Sequence, residues 1–136
     1  MRIDTILTQE YIENYQSVWP NRTILDYLDD AIAKNPEKTA IVDKKSRYTY
    51  RELGKLVDRV ALGLLELGLG KGDVISIQLP NWNEFIILHY AATRIGAITN
   101  PLIPIYRDRE IGYMVGLVEA KMIVIPDQFR GFDYPR

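Results

Sequence analysis

The sequence contains no cysteine, which excludes disulfide bonds, thiolate catalysis and cysteine-based metal sites. It has a single histidine, His89, so there is no cluster of imidazoles from which a zinc site could be built. The 17 basic and 18 acidic side chains nearly cancel, and no overall field attracts the chain to nucleic acid or to an anionic membrane. We therefore expect no nucleic-acid partner, and any function must arise from local features.

Long hydrophobic runs are also missing. Pro, Asn, Arg and Asp interrupt each apolar stretch before it reaches the roughly 20 residues that a membrane helix needs. Residues 1–16 mix charge and polarity where a signal peptide would require an apolar segment. With the lack of cysteine, these absences predict a cytoplasmic protein that has no membrane span. The length of 136 residues suffices for one domain with a hydrophobic core.

Local signals predict the elements of the first half of the chain. Residues 1–21 show no clean period and are expected to form an irregular leader, with room for one short helix. Thr23 is a candidate N-cap for a helix that should end near Asn35, because the residue before a proline disfavours the α region. Two short β-prone runs, 39–42 and 47–49, flank a polar turn and predict a small hairpin.

The second half alternates between strand and helix signals. Thr49 and Glu52 form a capping box at the start of a strongly amphipathic helix that should end at Gly68. The predicted elements that follow are a strand at 74–79, a helix at 85–96, a strand at 97–99, a helix capped by Asp108 and a strand at 122–125. This β-α-β-α-β order predicts an α/β fold with a mostly parallel sheet and covering helices, in addition to the small N-terminal hairpin. The sequence stops soon after this unit without a terminal helix, which suggests part of a larger domain.

Three features invite a catalytic interpretation, and each has a simpler one. The glycine-rich stretch 63–72 leads from a helix into a strand, whereas a phosphate-binding loop leads from a strand into a helix; we predict a helix stop and a turn. His89 lies on the apolar stripe of its helix and is predicted to be structural rather than a catalytic base. None of the three serines is flanked by the glycines of a nucleophile elbow.

The segment 99–107 follows a predicted parallel strand, at the carboxyl edge where open α/β sheets bind ligands. Its two prolines stiffen the path, and Arg107 adds a fixed positive charge. Arg130, after the last predicted strand, is a comparable candidate. The alternative is a rigid connection that carries solvated arginines.

A series of short motifs resembles the N-terminal region of the adenylate-forming acyl-CoA ligase superfamily, in the same order and spacing. The likeness covers roughly residues 22–126, and the leader, with Tyr15 and Trp19, is similar to that of members acting on fatty, alicyclic or aryl acids. The matching segments are Thr39-Ala-Ile-Val-Asp43, Tyr48-Thr-Tyr-Arg-Glu-Leu53, Leu67-Gly-Leu-Gly-Lys-Gly-Asp-Val74, Leu79-Pro-Asn81, Glu84-Phe85, Arg94-Ile-Gly-Ala97 and Asn100-Pro-Leu102.

The resemblance implies that the intact protein joins a carboxylic acid to ATP, with Mg²⁺, and then transfers the acyl group from AMP to CoA. The superfamily's phosphate loop, its Tyr-Gly-x-Thr-Glu motif, its ribose-binding aspartate and its C-terminal lysine have no counterpart here. We therefore assign no catalytic and no metal-binding residue. Residues 22–136 are expected to form an incomplete N-terminal subdomain, inactive alone and dependent on the remainder of the ligase chain.

In relatives, an arginine directly after the Asn-Pro pair can approach the phosphates of CoA, but this sequence has Leu102 there. We hypothesise that Arg107 and Arg130 take that role in the intact enzyme. Because a piece of a larger domain exposes apolar surface, self-association is expected. Two other functions remain open: a stand-alone interaction module with a ligase-derived fold, and a complete small nucleotide-binding domain, for which a strand-to-helix glycine turn and a ribose-binding acidic residue are missing.

Overall fold

The computed structural model describes residues 9–134, so the first eight residues of the predicted leader lie outside the described part. The rest of the leader contains one short helix, α1 (Gln9–Tyr15), which continues into a 3-10 turn (Gln16–Val18). Helix α2 (Ile24–Lys34) begins after the N-cap Thr23, whose hydroxyl accepts a hydrogen bond from the Asp26 N–H, and ends at Asn35. The predicted bounds of this helix are confirmed.

Strands β1 (Thr39–Val42) and β2 (Arg47–Thr49) form the predicted antiparallel hairpin. Helix α3 (Tyr50–Glu66) follows at once, because the hydroxyl and N–H of Thr49 exchange hydrogen bonds with the backbone and carboxylate of Glu52. The helix ends at Glu66; Leu67 is its C-cap, and Gly68 follows in the left-handed region at φ 81°. The Leu69 N–H donates to the Leu64 carbonyl, which completes a Schellman-type stop.

The three central strands form the predicted parallel sheet, in the order β4-β3-β5. Their bounds are Val74–Ile77 for β3, Ile98–Pro101 for β4 and Met122–Val124 for β5. Helix α4 (Asn83–Arg94) connects β3 to β4, and helix α5 (Asp108–Leu117) connects β4 to β5. None of the helices in residues 9–134 has the length and apolarity needed to cross a membrane.

Two hydrophobic clusters hold these layers together. The larger one lies between the sheet and helices α3 and α4, and Ile75 and Ile77 of the central strand are fully buried in it. The smaller one joins α2, α3 and the hairpin, through Leu28, Leu53 and Val57. Helix α4 contributes to both clusters, so apolar residues cover more of its circumference than a single stripe.

The structure shifts several predicted boundaries by one or two residues, and three of the shifts have a clear cause or consequence. Helix α4 begins two residues before Phe85, and Asp108 is the first residue of α5 rather than its cap, because Arg107 occupies the cap position and its N–H donates to Glu110. Strand β4 extends to Pro101, within the segment predicted as a loop. Proline is tolerated there because β4 pairs on one side only, with β3.

A second hairpin was not predicted from the sequence. It consists of β6 (Gln128–Phe129) and β7 (Phe132–Asp133), which pair in antiparallel fashion. The connecting residues Arg130 and Gly131 both have positive φ, at 51° and 76°. Two consecutive left-handed residues make the tight turn that such short strands require.

Candidate functional site

A cleft of about 700 Å³ lies at the carboxyl edge of the parallel sheet. Loops that follow the strands form most of its walls, as expected for an open α/β sheet. The turn of the β1–β2 hairpin closes one side, and the β6–β7 hairpin contributes another. The lining residues are Val42, Asp43, Lys44, Lys45, Pro80, Asn81, Trp82, Ile103, Pro104, Ile105, Phe129 and Arg130.

Buried polar groups fasten the turn between β1 and β2 to the start of α4. Asn83 is only 4% exposed, and its side-chain amide donates to the carbonyl and the hydroxyl of Ser46, at 3.1 and 2.9 Å. In return, Asp43 accepts a hydrogen bond of 2.9 Å from the Asn83 N–H and so caps a helix that has no side-chain cap of its own. The turn is thus held at the sheet edge by a helix about 40 residues away.

Asp43 also accepts hydrogen bonds from the N–H groups of Lys45 and Ser46, at 2.8 Å each. The hydrogen bond from the Asn83 N–H, followed by those within the turn, holds the pKa of Asp43 below its ordinary value. Its carboxylate is therefore ionised at neutral pH and is engaged within the turn. The side chains of Lys44 and Lys45, the two residues after Asp43, line the cleft.

The loop after β4 forms the opposite wall, and side chains hold its carbonyl groups. Gln78, which directly follows β3 and is 3% exposed, donates its amide hydrogens to the carbonyls of Ile103 and Tyr106, at 3.2 and 2.9 Å. The Tyr134 hydroxyl donates to the Pro104 carbonyl. These contacts satisfy backbone acceptors that no strand pairs with, and they give the cleft a rigid wall.

Arg107 packs against the β6–β7 hairpin and Arg130 belongs to its turn; each lies beside one of the two phenylalanines that pair across the hairpin. The guanidinium of Arg107 is 3.9 Å from the centre of the Phe132 ring, and its Nη1 donates to the carbonyls of Pro104 and Tyr106, at 2.9 Å each. Arg130 lies 5.3 Å from the Phe129 ring and lines the cleft. Arg107 is therefore bound within its own loop, whereas Arg130 faces the cleft.

The other two candidate features have the structural roles predicted for them. The glycine-rich stretch forms the stop of α3 and a turn in which the Gly70 N–H donates to Asp73. His89 is half-buried, with its Nδ1 2.9 Å from the Thr99 hydroxyl, and joins α4 to the edge strand β4. Both features hold elements together and lie away from the cleft.

Lys44, Lys45 and Trp82 are site residues that the sequence did not single out. The lysines belong to a segment predicted only as a polar turn, and Trp82 occupies the cap position of α4. The Lys45 ammonium lies 4.5 Å from the centre of the Trp82 indole. No sequence signal links positions this far apart, because folding alone brings the turn to the sheet edge.

The chemistry available at the cleft is electrostatic. Within residues 9–134, no group of three or more histidine or acidic side chains could hold a metal ion. The lining combines apolar and aromatic side chains with three cations and one carboxylate. Such a site can bind and orient an anionic ligand, but it contains no nucleophile positioned beside a base.

Comparison with known proteins relates the chain to adenylating enzymes. The profile of the family described as "AMP-binding enzyme" matches residues 28–134. The 2,3-dihydroxybenzoate-AMP ligase of Bacillus subtilis is 37% identical over 92% of this chain, and the medium-chain fatty-acid–CoA ligase of Escherichia coli is 34% identical over 85%. The chain spans only 24% and 20% of the lengths of these two curated relatives.

A solved structure has the same architecture. The N-terminal subdomain of NpsA from Klebsiella oxytoca superposes with a TM-score of 0.74 at 25% identity, covering 81% of this chain and 29% of that one. The resemblance and the α/β fold class that the sequence indicated are thereby confirmed.

Proposed function

Because the chain belongs to the AMP-binding enzyme family, we propose that it forms the N-terminal part of an AMP-forming acid–CoA ligase. The observation that carries this proposal is the family match over residues 28–134, in a chain that spans about a quarter or less of its curated relatives. Residues 22–136 would then be one subdomain of a larger catalytic body.

The proposed reaction has two steps. The carboxylate oxygen of the acid attacks the α-phosphorus of ATP and pyrophosphate leaves, which gives an acyl-AMP. The sulfur of CoA then attacks the acyl carbon and AMP leaves, which gives the thioester. Mg²⁺ would neutralise phosphate charge in the first step. Residues 9–134 contain no group of three or more histidine or acidic side chains that could hold a metal ion, and we assign no step in this chain to it.

The acid is proposed to be fatty, alicyclic or aryl. The names of the relatives support this range, since one is a ligase for 2,3-dihydroxybenzoate and another for medium-chain fatty acids. The first name mentions only AMP, so the CoA step requires its own test. In the intact protein, exchange of pyrophosphate into ATP that depends on a carboxylic acid would report the first step, and thioester formation the second.

We further propose that Arg130 and Arg107 serve the CoA phosphates in the intact ligase. The position of Arg130 at the cleft supports a direct contact. Arg107 would act by fixing the loop, because its guanidinium is engaged by two carbonyls of that loop. Alanine at either position should raise the KM for CoA; an unchanged KM would remove that arginine from the proposal.

The isolated 136-residue chain is proposed to be catalytically inactive and to self-associate in the cytoplasm. Large apolar side chains such as Leu62, Ile105 and Tyr113 are more than 60% exposed, which favours association. Light scattering should show a dimer or a larger assembly, and a monomer at high concentration would refute self-association. Any pyrophosphate exchange by the pure chain would refute its inactivity.

A further inference from the structure

Helix α5 presents a side that no other element in the described part of the chain covers. It contains no buried residue, whereas α2, α3 and α4 each contain at least one. Four half-buried residues at helical spacing mark the side that faces the rest of the chain: Ile111, Met114, Val115 and Val118. The exposed face of α5 lies on the opposite side and consists of Arg109, Gly112, Tyr113, Gly116 and Leu117.

This face combines large apolar side chains with open space. Tyr113 and Leu117 are 70% and 51% exposed, and each directly follows a glycine. A Cβ at Gly112 or at Gly116 would meet no described atom within 4 Å. Small residues four positions apart let a second helix approach closely, an arrangement best known from pairs of membrane helices. The exposed face of α5 therefore offers a notch that is flanked by two apolar side chains.

The two ends of the exposed face carry opposite charges. Arg109 lies one turn before Gly112, and within residues 9–134 no carboxylate forms a salt bridge with it. Its neighbours Asp108 and Glu110 are rotated to either side by about 100°, the angle between successive residues of a helix. Glu119 is exposed just beyond the C-cap of α5. A second copy of the helix that runs in the opposite direction complements this distribution.

Antiparallel pairing of two α5 helices matches the open space and the charges together. When the helices cross at the level of Met114, Gly112 of one copy lies opposite Gly116 of the other, because both glycines are two positions from the crossing point. Arg109 and Glu119 are each five positions from it, or about 7.5 Å along an ideal helix. Arg109 of one copy thus comes opposite Glu119 of the other, and a twofold axis makes each contact occur twice.

We propose that the exposed face of α5 is the interface through which two copies of this chain associate, an inference that rests on the self-association proposed above and not on the ligase activity. The glycines form the crossing point, Tyr113 of each copy packs beside the glycines of the other, and Arg109 pairs with Glu119 of the second copy. A helix of 10 residues makes a small interface, so we expect a dissociation constant on the order of 10–100 μM.

Sedimentation equilibrium of the 136-residue chain, from about 10 μM to 1 mM, measures this association. Arg109→Glu and Glu119→Arg should each weaken it about tenfold, because each reversal brings like charges together at two symmetric positions. The double variant Arg109→Glu/Glu119→Arg should restore the wild-type dissociation constant to within about threefold, since the pair is re-formed with its signs exchanged. Arg59→Glu is the matched control, because Arg59 is equally exposed but lies on α3.

Gly112→Gln separates an effect on the interface from an effect on the fold. In a single copy the new side chain enters open space and improves helix propensity, so the midpoint of urea unfolding should not fall. At the crossing point it blocks the close approach, so the association should weaken by at least about tenfold. Gly63→Gln, the same exchange at a glycine of α3 with open space around it, should leave the association unchanged.

The outcomes distinguish this inference from the proposals above. Association that Gly112→Gln and Arg109→Glu leave unchanged would overturn the α5 interface and leave self-association itself intact. A chain that stays monomeric up to about 1 mM would refute self-association as well. An intact ligase that stays monomeric over the same range would assign the exposed face of α5 to the remainder of its own chain and would likewise overturn the pairing of copies. Pyrophosphate exchange by the intact ligase decides the ligase function independently of these results.

Discussion

Replacing Asn83 by alanine tests the contact that fastens the β1–β2 turn to α4. The side chain is 4% exposed and donates two hydrogen bonds to Ser46, whose position is 37 residues earlier in the chain. The substitution removes both hydrogen bonds and leaves the backbone N–H of residue 83 bonded to Asp43. It therefore separates the side-chain contact from the helix cap.

The expected loss is about 2 kcal/mol of unfolding free energy, from two hydrogen bonds at roughly 1 kcal/mol each. A larger loss would require orphaned acceptors, and none is created. The Ser46 carbonyl still accepts from the Asp43 N–H, at 3.0 Å, and the Ser46 hydroxyl still donates to the Asp43 carboxylate, at 3.3 Å.

Urea unfolding measures this loss. With an m-value of about 2 kcal/mol per M, the midpoint should fall by roughly 1 M. Asn81→Ala is the control, because Asn81 lies two residues away and is exposed; we expect a change within about 0.5 kcal/mol. Combining Asn83→Ala with Ser46→Ala should cost less than the sum of the single variants, since they share one contact. If the two asparagine variants were equally stable, the proposed fastening would be wrong.

Two further predictions concern backbone conformation and acid stability. Gly96→Ala should lower the unfolding free energy by at least about 1–2 kcal/mol, because Gly96 has φ 74° and a Cβ would lie 3.2–3.4 Å from Lys71. Gly63 lies in α3 with open space around it, so Gly63→Ala should raise the unfolding free energy by about 0.5–1 kcal/mol. Urea titration measures both changes. The hydrogen bond from Lys121, above all, holds the pKa of Asp73 below its ordinary value of about 3.9. The Asp73 carboxylate therefore contributes its full stabilisation at pH values above the ordinary pKa, and this contribution is lost as the pH falls through the lower pKa of the folded state. Asp73→Asn should therefore be less stable at pH 7 and lose less stability between about pH 5 and 2; equal slopes for variant and wild type would contradict the assignment.

Arg107 shows which part of a residue's environment the sequence does not indicate. Arg107 follows two prolines at the carboxyl edge of the sheet, and its charge made it a candidate ligand. Folding brings the carbonyls of Pro104 and Tyr106 and the ring of Phe132 around its guanidinium. Phe132 belongs to a hairpin of two-residue strands, which is too short to show alternation in the sequence. The environment of Arg107 was therefore unpredictable.

Those parts of the fold that depend on short-range contacts were determined by the sequence alone. The capping box at Thr49 and the stop at Gly68 involve residues within a few positions of one another, so their pattern is visible in the chain. The alternation of strand and helix signals after Val74 likewise implied the parallel sheet, because parallel strands require a returning helix.

Tertiary structure alone decided the strand order, the length of β4 and the cleft. Strand β4 extends to Pro101 because its residues pair with β3, where the Asn100 amide also donates to the Ser76 hydroxyl. The cleft forms because the Asn83 side chain bonds to a turn 37 residues earlier in the chain and holds it at the sheet edge. Such contacts join residues 24 to 37 positions apart, and no local pattern encodes them, since their energy appears only when the layers pack.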